Sequence, residues 1–216
     1  MTLLVARDLS KLYGMRPVLR GASMTLQAGD FVALLGANGA GKTTLIRILA
    51  TLMRPDRGEI SICDTDAMKH PDRARRFIGA VMHQPMLYPD LTARENLEFH
   101  ARLHQLTAKN LGRIETLLAE VELGKRANER VRTFSRGMQQ RLTIARALLH
   151  QPALLLLDEP FTGLDQHSAD ILSGLLNRHA QSGAAILMAT HELGRGMSGV
   201  THRVVMENGK AIAKHA

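Results

Sequence analysis

Apolar residues fall into two rhythms along this chain, and the rhythm changes twice. Near the start they come in short runs that read as strands: Leu3–Leu9, Ala22–Leu26 and Phe31–Leu35. Turn residues at Tyr13-Gly14 and Gln27-Ala28-Gly29-Asp30 separate them. A glycine-rich loop follows. The period then lengthens to that of a helix, with Leu45, Ile48, Leu49 and Leu52 on one face. Arg54-Pro55-Asp56-Arg57-Gly58 ends this helix and leads into a strand at Glu59–Cys63, with another at Ile78–His83.

The middle of the chain reads as helical throughout. Thr92-Ala93-Arg94-Glu95 has the form of a capping box, so a helix is predicted to begin after Thr92. A second covers about Gly112–Val121, and a third begins at Ser135 and carries Met138, Leu142, Ala145 and Leu149 on one side. The short period then returns. Ala153–Leu157 is a continuous apolar run, as in a strand buried on both faces of a parallel sheet. A helix at Ser168–His179, a buried strand at Ala185–Ala189 and a hairpin of Arg203–Glu207 with Lys210–Ala213 complete the pattern. The expected organisation is one discontinuous α/β core, residues 1–84 and 151–216, with a helical insert at 85–150.

Composition adds limits. At 216 residues and 45% hydrophobic content, the chain can bury a real core and lies outside the disordered class. Its net charge is +8, which favours polyanionic partners: nucleotide phosphates, nucleic acid or acidic headgroups. Five Phe, two Tyr and no Trp weigh against stacking of single-stranded bases. The basic residues are spread out, with only Arg73–Arg76 dense, and that stretch reads as a helix surface. One cysteine, Cys63, excludes an internal disulfide and fits a reducing compartment. No signal peptide is visible, and the longest apolar runs fall far short of the roughly 20 residues a membrane span needs. His100 and His104 stand four apart on a helix, as metal ligands can, but no third ligand follows at a suitable spacing, so no metal site is expected there.

The chemistry is concentrated in a few short stretches. Gly36-Ala37-Asn38-Gly39-Ala40-Gly41-Lys42-Thr43 fits the phosphate-loop pattern between a strand and a helix. Its glycines let successive N–H groups face one concavity, and the helix start adds partial positive charge. Lys42 would reach the β- and γ-phosphates, and the Thr43 hydroxyl would ligate magnesium. Asp158 ends a buried apolar strand, where it would hold the metal, and Glu159 could deprotonate a water. These two pieces alone admit kinases, helicases, GTPases and transporter ATPases. The remaining pieces narrow the choice: Gln84 after a strand, Ser135-Arg136-Gly137-Met138-Gln139-Gln140 opening a helix, Gly163-Leu164-Asp165 beyond Glu159, and His191 after the next strand.

In that order these motifs resemble the nucleotide-binding domain of ABC transporters, over nearly the whole chain. The resemblance implies an α/β P-loop NTPase fold of the ABC ATPase type. It has a mixed sheet core, an antiparallel N-terminal β-subdomain and an inserted α-helical subdomain. It also implies roles. Tyr13 stacks on adenine, and Gly36, Asn38, Gly39, Ala40, Gly41, Lys42, Thr43 and Thr44 hold the phosphates of ATP. Gln84 senses Mg2+ and the γ-phosphate, Asp158 is the metal acid, Glu159 the base and His191 the switch. Ser135 and Gly137 belong to the family signature, usually Leu-Ser-Gly-Gly-Gln, which here reads Phe134-Ser135-Arg136-Gly137-Met138. Arg136 is expected to leave the backbone anion site intact and to add charge toward a phosphate. Asp165 belongs to the loop between two sites, because the family sandwiches ATP between two subunits arranged head to tail.

The expected partners are therefore a second ATPase subunit, identical or paralogous, and an integral membrane permease, with no direct nucleic-acid contact. The permease would dock near Met86-Leu87-Tyr88, a cluster that reads equally as ordinary core. The expected location is the cytoplasmic face of the membrane. With no regulatory extension after the last hairpin, the chain resembles the small exporter ATPases. Thr133–Leu142 and Asp158–Asp165 are similar to the haem-exporter, CcmA-type ATPase of cytochrome c maturation. The alternatives are a drug or polysaccharide exporter ATPase, an ABC ATPase acting on ribosomes or nucleic acid, and a soluble P-loop kinase.

Overall fold

The computed structural model describes residues 1–106, 108–191 and 197–214. Two sheets organise the chain. The first is antiparallel, with β1 (Thr2–Tyr13), β2 (Arg16–Gln27), β4 (Arg57–Ile62) and β5 (Thr65–Asp66) in the order β2-β1-β4-β5. The second has six strands: β3 (Phe31–Leu35), β6 (Ile78–Val81), β7 (Leu154–Asp158), β8 (Ala185–Ala189), β9 (His202–Glu207) and β10 (Lys210–Lys214). Their order is β10-β9-β3-β8-β7-β6, all parallel except β10, which returns beside β9 as a hairpin. The expected mixed core sheet and antiparallel N-terminal sheet are both present.

The alternation of side chains makes the second sheet a partition between two cores. On β7, Leu154 and Leu156 face one core and Leu155 and Leu157 the other. On β8, Ala185 and Leu187 oppose Ile186 and Met188 in the same way. The first core holds α1 (Lys42–Leu49) against the antiparallel sheet, through Leu45, Ile46, Ile48 and Leu49. The second holds α3 (Ala93–Leu103), α4 (Ala108–Glu120), α5 (Arg136–Leu148) and α6 (Gln166–Gln181). The helices of 85–150 therefore share a core with α6 and the sheet. Both faces are covered, which is why β7 and β8 are apolar at every position but Asp158.

Local signals held where the physics is local. Thr92 caps α3 with both bonds of a capping box: its Oγ1 accepts from Glu95 N at 3.1 Å, and Thr92 N donates to the Glu95 carboxylate at 2.8 Å. Ser135 caps α5, and β8 occupies the expected residues. The limits moved elsewhere. Strand β1 runs on to Tyr13 because irregular pairing around Asp8, whose φ is 50°, lets it bend and stay with β2. Strand β6 stops at Val81, so Met82, His83 and Gln84 lie in a loop. Helix α4 begins earlier than predicted and α6 extends at both ends. The dense basic stretch lies on α2 (Pro71–Arg75) and its cap. No helix among the described residues is long and apolar enough to cross a membrane.

Candidate active site

The site is built at the C-terminal ends of β3, β7 and β8. After β3, the chain curls through Gly36–Gly41 into α1. Gly36 has φ 150°, and a Cβ there would stand 2.8 Å from the Met206 carbonyl oxygen, so the loop rests on β9 as only glycine allows. The start of α1 offers free N–H groups to an anion. Lys42 is 6% exposed, and its Nζ donates to the carbonyls of Gly36 at 2.7 Å and Ala37 at 3.2 Å. The ammonium therefore holds the loop closed around itself.

The neighbouring strands supply three ionisable groups beside the start of α1: Asp158, Glu159 and His191. The Thr43 hydroxyl donates to Asp158 Oδ1 at 3.1 Å. Asp158, 3% exposed at the end of β7, has its pKa raised by burial and by the nearby Glu159 charge. The Thr43 hydrogen bond and the charges of His83 and Lys42 oppose this. Glu159 has φ 54°, a left-handed conformation that a non-glycine residue adopts at a cost. Its N–H donates to the Ala189 carbonyl at 3.0 Å, tying the turn to β8. The side chain then meets His191, with Glu159 Oε2 and His191 Nδ1 2.8 Å apart.

Beside these groups lies a cleft of about 460 Å³, lined by Asn38, Gly39, Gly41, Lys42, Thr43, Thr44, Glu159 and Tyr13. Tyr13 stands half exposed at the tip of the β1–β2 hairpin, its hydroxyl directed to Met53 Sδ at 3.3 Å. Arg16 and Val18 line the same cleft and were missed by the motif reading. The one signal is position: Arg16 pairs with Tyr13 across the hairpin turn, and Val18 follows two residues later on β2. Gly36 and Ala40 line a neighbouring hollow against the β9–β10 turn.

Four predicted site residues stand apart from this group. Gln84 is exposed in the loop after β6 and makes no side-chain hydrogen bond among the described residues. Ser135, Gly137 and Asp165 form a second assembly. Ser135 Oγ accepts from Met138 N at 3.3 Å, and Asp165 caps α6 by accepting from Ser168 N at 2.7 Å. That bond holds the Asp165 carboxyl below the usual range. A Cβ on Gly137 would stand 3.1 Å from Ser168 Oγ, so the starts of α5 and α6 are in close contact. Arg136 is engaged within its own chain. Its guanidinium lies over Gly163, within 2.9 Å of where a Cβ would be. Gln140 Nε2 donates to the Pro160 carbonyl at 2.9 Å, so α5 grips the loop that follows Glu159.

The loop between Gln84 and α3 presents Met86 at 51% and Tyr88 at 48% exposure, while Leu87 packs on the core. Asn96, fully buried on α3, fixes this loop. It accepts from Tyr88 N at 2.8 Å and donates to the carbonyls of Tyr88 at 3.0 Å and Thr92 at 2.9 Å.

Thr43 and Asp158 supply a hydroxyl and a buried carboxylate, the hard oxygen donors that magnesium takes with substrate phosphates and water. Among the described residues no group of three His, Cys, Asp or Glu could hold a metal by itself. The donor set therefore fits a cation shared with a nucleotide.

A phosphate loop on a parallel sheet, a buried aspartate bonded to a threonine in the first turn of α1, and a glutamate and histidine in contact define a P-loop nucleotide hydrolase. The ABC transporter family matches residues 19–162. At the level of whole chains, 37% of residues over 97% of this chain are identical to the Nod factor export ATP-binding protein I of Burkholderia lata. The bacitracin transport ATP-binding protein BcrA of Bacillus licheniformis is 37% identical over 98% of the chain. In each case the match covers 69% of the relative, so the chain spans about two thirds of the length of these proteins. A solved ATP-binding subunit of an ABC transporter superposes with a TM-score of 0.90 at 36% identity, covering 97% of this chain and 88% of that one. The cassette MJ0796, in a dimeric post-hydrolysis state with ADP and Pi, gives 0.87 at 27% identity, over 97% and 96%. The chain belongs to the ABC transporter family and is an ATP-binding, ATP-hydrolysing domain of it.

Proposed function

We propose that this chain is the ATP-hydrolysing subunit of an exporter and works as a head-to-tail pair on a separate membrane permease. The observation that carries the reading is the Glu159–His191 contact beside the Thr43–Asp158 pair, at the mouth of the Tyr13 cleft. Residues 1–84 and 151–216 serve as the nucleotide core and 85–150 as the helical subdomain.

In this reading Tyr13 carries the adenine, and the N–H groups of Gly36–Thr44 with Lys42 take the phosphates. A bound Mg2+, held by Thr43 and Asp158 with Gln84 nearby, would neutralise phosphate charge. Lys42 counters charge developing on the γ-phosphate, Glu159 accepts the proton of the attacking water, and His191 holds Glu159 in place. Ser135 and Gly137 do not line the cleft beside their own phosphate loop. They suit the γ-phosphate of a partner subunit, as does the dimeric state of the MJ0796 cassette. The half-exposed Met86 and Tyr88, held out by Asn96, suit a permease, which would keep the chain at the cytoplasmic face.

The Nod factor and bacitracin names favour export. The CcmA-type likeness suggests haem as cargo but rests on two short stretches, and no residue of the site selects a cargo. The test is Glu159→Gln with Mg-ATP. It should keep nucleotide binding, lose hydrolysis and accumulate a dimer on size exclusion. A monomer at all concentrations, with and without the membrane subunit, refutes the pairing. Recovery from solubilised membranes identifies that subunit, and a six-helix cytochrome-biogenesis permease would establish haem export.

A further inference from the structure

One group of buried ionisable side chains takes no part in the reading above. It lies where α5 crosses β6. Arg146, near the end of α5, is 9% exposed. Its Nη2 donates to the Ala80 carbonyl at 3.0 Å, and its Nη1 reaches the Met86 carbonyl at 3.5 Å. His150, just beyond α5, has Nε2 2.9 Å from the Ile78 carbonyl. The ring of His104, which caps α3, stacks on His150 with centroids 3.9 Å apart and 12° between planes. His100, one turn earlier, belongs to the same group, and its buried Nε2 has no hydrogen-bond partner among the described residues.

The carbonyls addressed, 78, 80 and 86, lie on both sides of Gln84. Arg146 forms no ion pair among the described residues, and its Nε has no partner. A buried cation without a counter-ion is costly, and here only backbone carbonyls offset the cost. Burial lowers the Arg146 pKa to about 10, which still leaves it charged at neutral pH. Such a group is not filler, since an apolar side chain of the same size would pack at less cost. What the guanidinium supplies, and an apolar group cannot, is a fixed path for the chain before and after Gln84.

We propose that Arg146 is a positioning residue that fastens α5, with Ser135 as its cap and Gly137 in its first turn, to the backbone on either side of Gln84. A shift of the signature helix and a shift of Gln84 are then one movement. The stacked His104 and His150 rings lie near enough to feel its charge. This rests on the reading of Gln84 as a contact of the γ-phosphate.

The test uses the full chain with R146M, which removes charge and donors, R146K, which keeps charge but cannot span both carbonyls, and Q84A. Three quantities are measured: kcat and KM for Mg-ATP, the Kd for ADP, and amide exchange over 82–88 and 36–43. For R146M and R146K, kcat should fall at least tenfold, with ADP Kd within twofold of wild type. Exchange over 82–88 should quicken at least tenfold with 36–43 unchanged. R146K in the Q84A background should lose little more, because both act through one residue. If R146M does not fold, R146K alone decides. Wild-type kcat and exchange in R146K overturn the proposal, as does exchange that quickens equally everywhere. Unchanged kcat in Q84A removes the role given to Gln84, while faster exchange over 82–88 in R146K still upholds the clamp.

Discussion

His191 Nδ1 and Glu159 Oε2 stand 2.8 Å apart although 32 positions separate them, because β7 and β8 are neighbours and end level. The contact fixes the carboxylate of a residue whose backbone is already held at φ 54°. Replacing His191 with Ala should therefore lower kcat by roughly 10²-fold or more while ATP affinity stays within a few fold, because the histidine orients the base and does not hold the nucleotide. Steady-state kinetics with a separate binding titration check this.

Thr43 and Asp158 share a hydrogen bond at the end of a buried strand. Asp158→Asn removes the charge that a cation would need and keeps the shape. Hydrolysis should fall at least 10²-fold, and the stimulation of nucleotide affinity by Mg2+ should disappear. Titration of ATP with and without Mg2+ checks this, and the Mg2+-free affinity should be unchanged or tighter.

Arg136 covers Gly163, whose φ is 74°. Gly163→Ala should cost about 2 kcal/mol, part from the left-handed backbone and part from displacing the guanidinium. In the Arg136→Ala background only the backbone part remains, so the cost should shrink to about 1 kcal/mol. Urea unfolding of the four proteins measures the difference.

Asn96 and the residues it displays should behave oppositely. Asn96→Ala leaves buried backbone groups unpaired and should cost about 3 kcal/mol. Met86→Ser should stay within about 0.5 kcal/mol, and Tyr88→Ser should cost about 1 kcal/mol because its ring packs edge-on against Phe99, with centroids 4.8 Å apart; both together should keep basal ATPase activity. The double variant should lose recovery with the membrane subunit. Thermal melts and co-purification separate the two effects.

Four histidines titrate low. Burial is the main cause in each, and Arg146 or Arg113 adds to it. His100 and His150 fall to about 4, and His104 and His179 are also lowered. The unfolded chain binds protons to these groups near pH 6.5, before the folded chain does. Stability is thus full above about pH 6.5 and declines toward pH 4. The lowered carboxylates Asp56, Asp66, Glu95 and Asp165 add stability that is lost below about pH 4.5, and Asp158, which is raised, contributes in the opposite direction. His150→Asn keeps a donor for Ile78 and removes one titration, so the slope of unfolding free energy between pH 6.5 and 4 should become shallower.

The parts legible in the sequence are those made by neighbours along the chain. The phosphate loop, the Thr92 and Ser135 caps and the apolar run of β7 each need only a few adjacent residues. The Glu159 turn was hidden because a positive φ in a non-glycine residue leaves no mark in composition. The packing of Arg136 over Gly163 leaves no local mark either, because the two residues lie 27 positions apart. Arg146 was the least visible. An arginine on a helix reads as a solvated face, and its partners are backbone carbonyls 60 and 66 positions distant, which have no side-chain identity to read.

The two cores on either side of β7 give its length a meaning. Leu154 and Leu156 face α1, and Leu155 and Leu157 face the helices. One residue added or removed in this strand would exchange the two sets and turn Asp158 away from Thr43. The number of leucines before the carboxylate is as much a condition of the Thr43–Asp158 contact as the carboxylate itself.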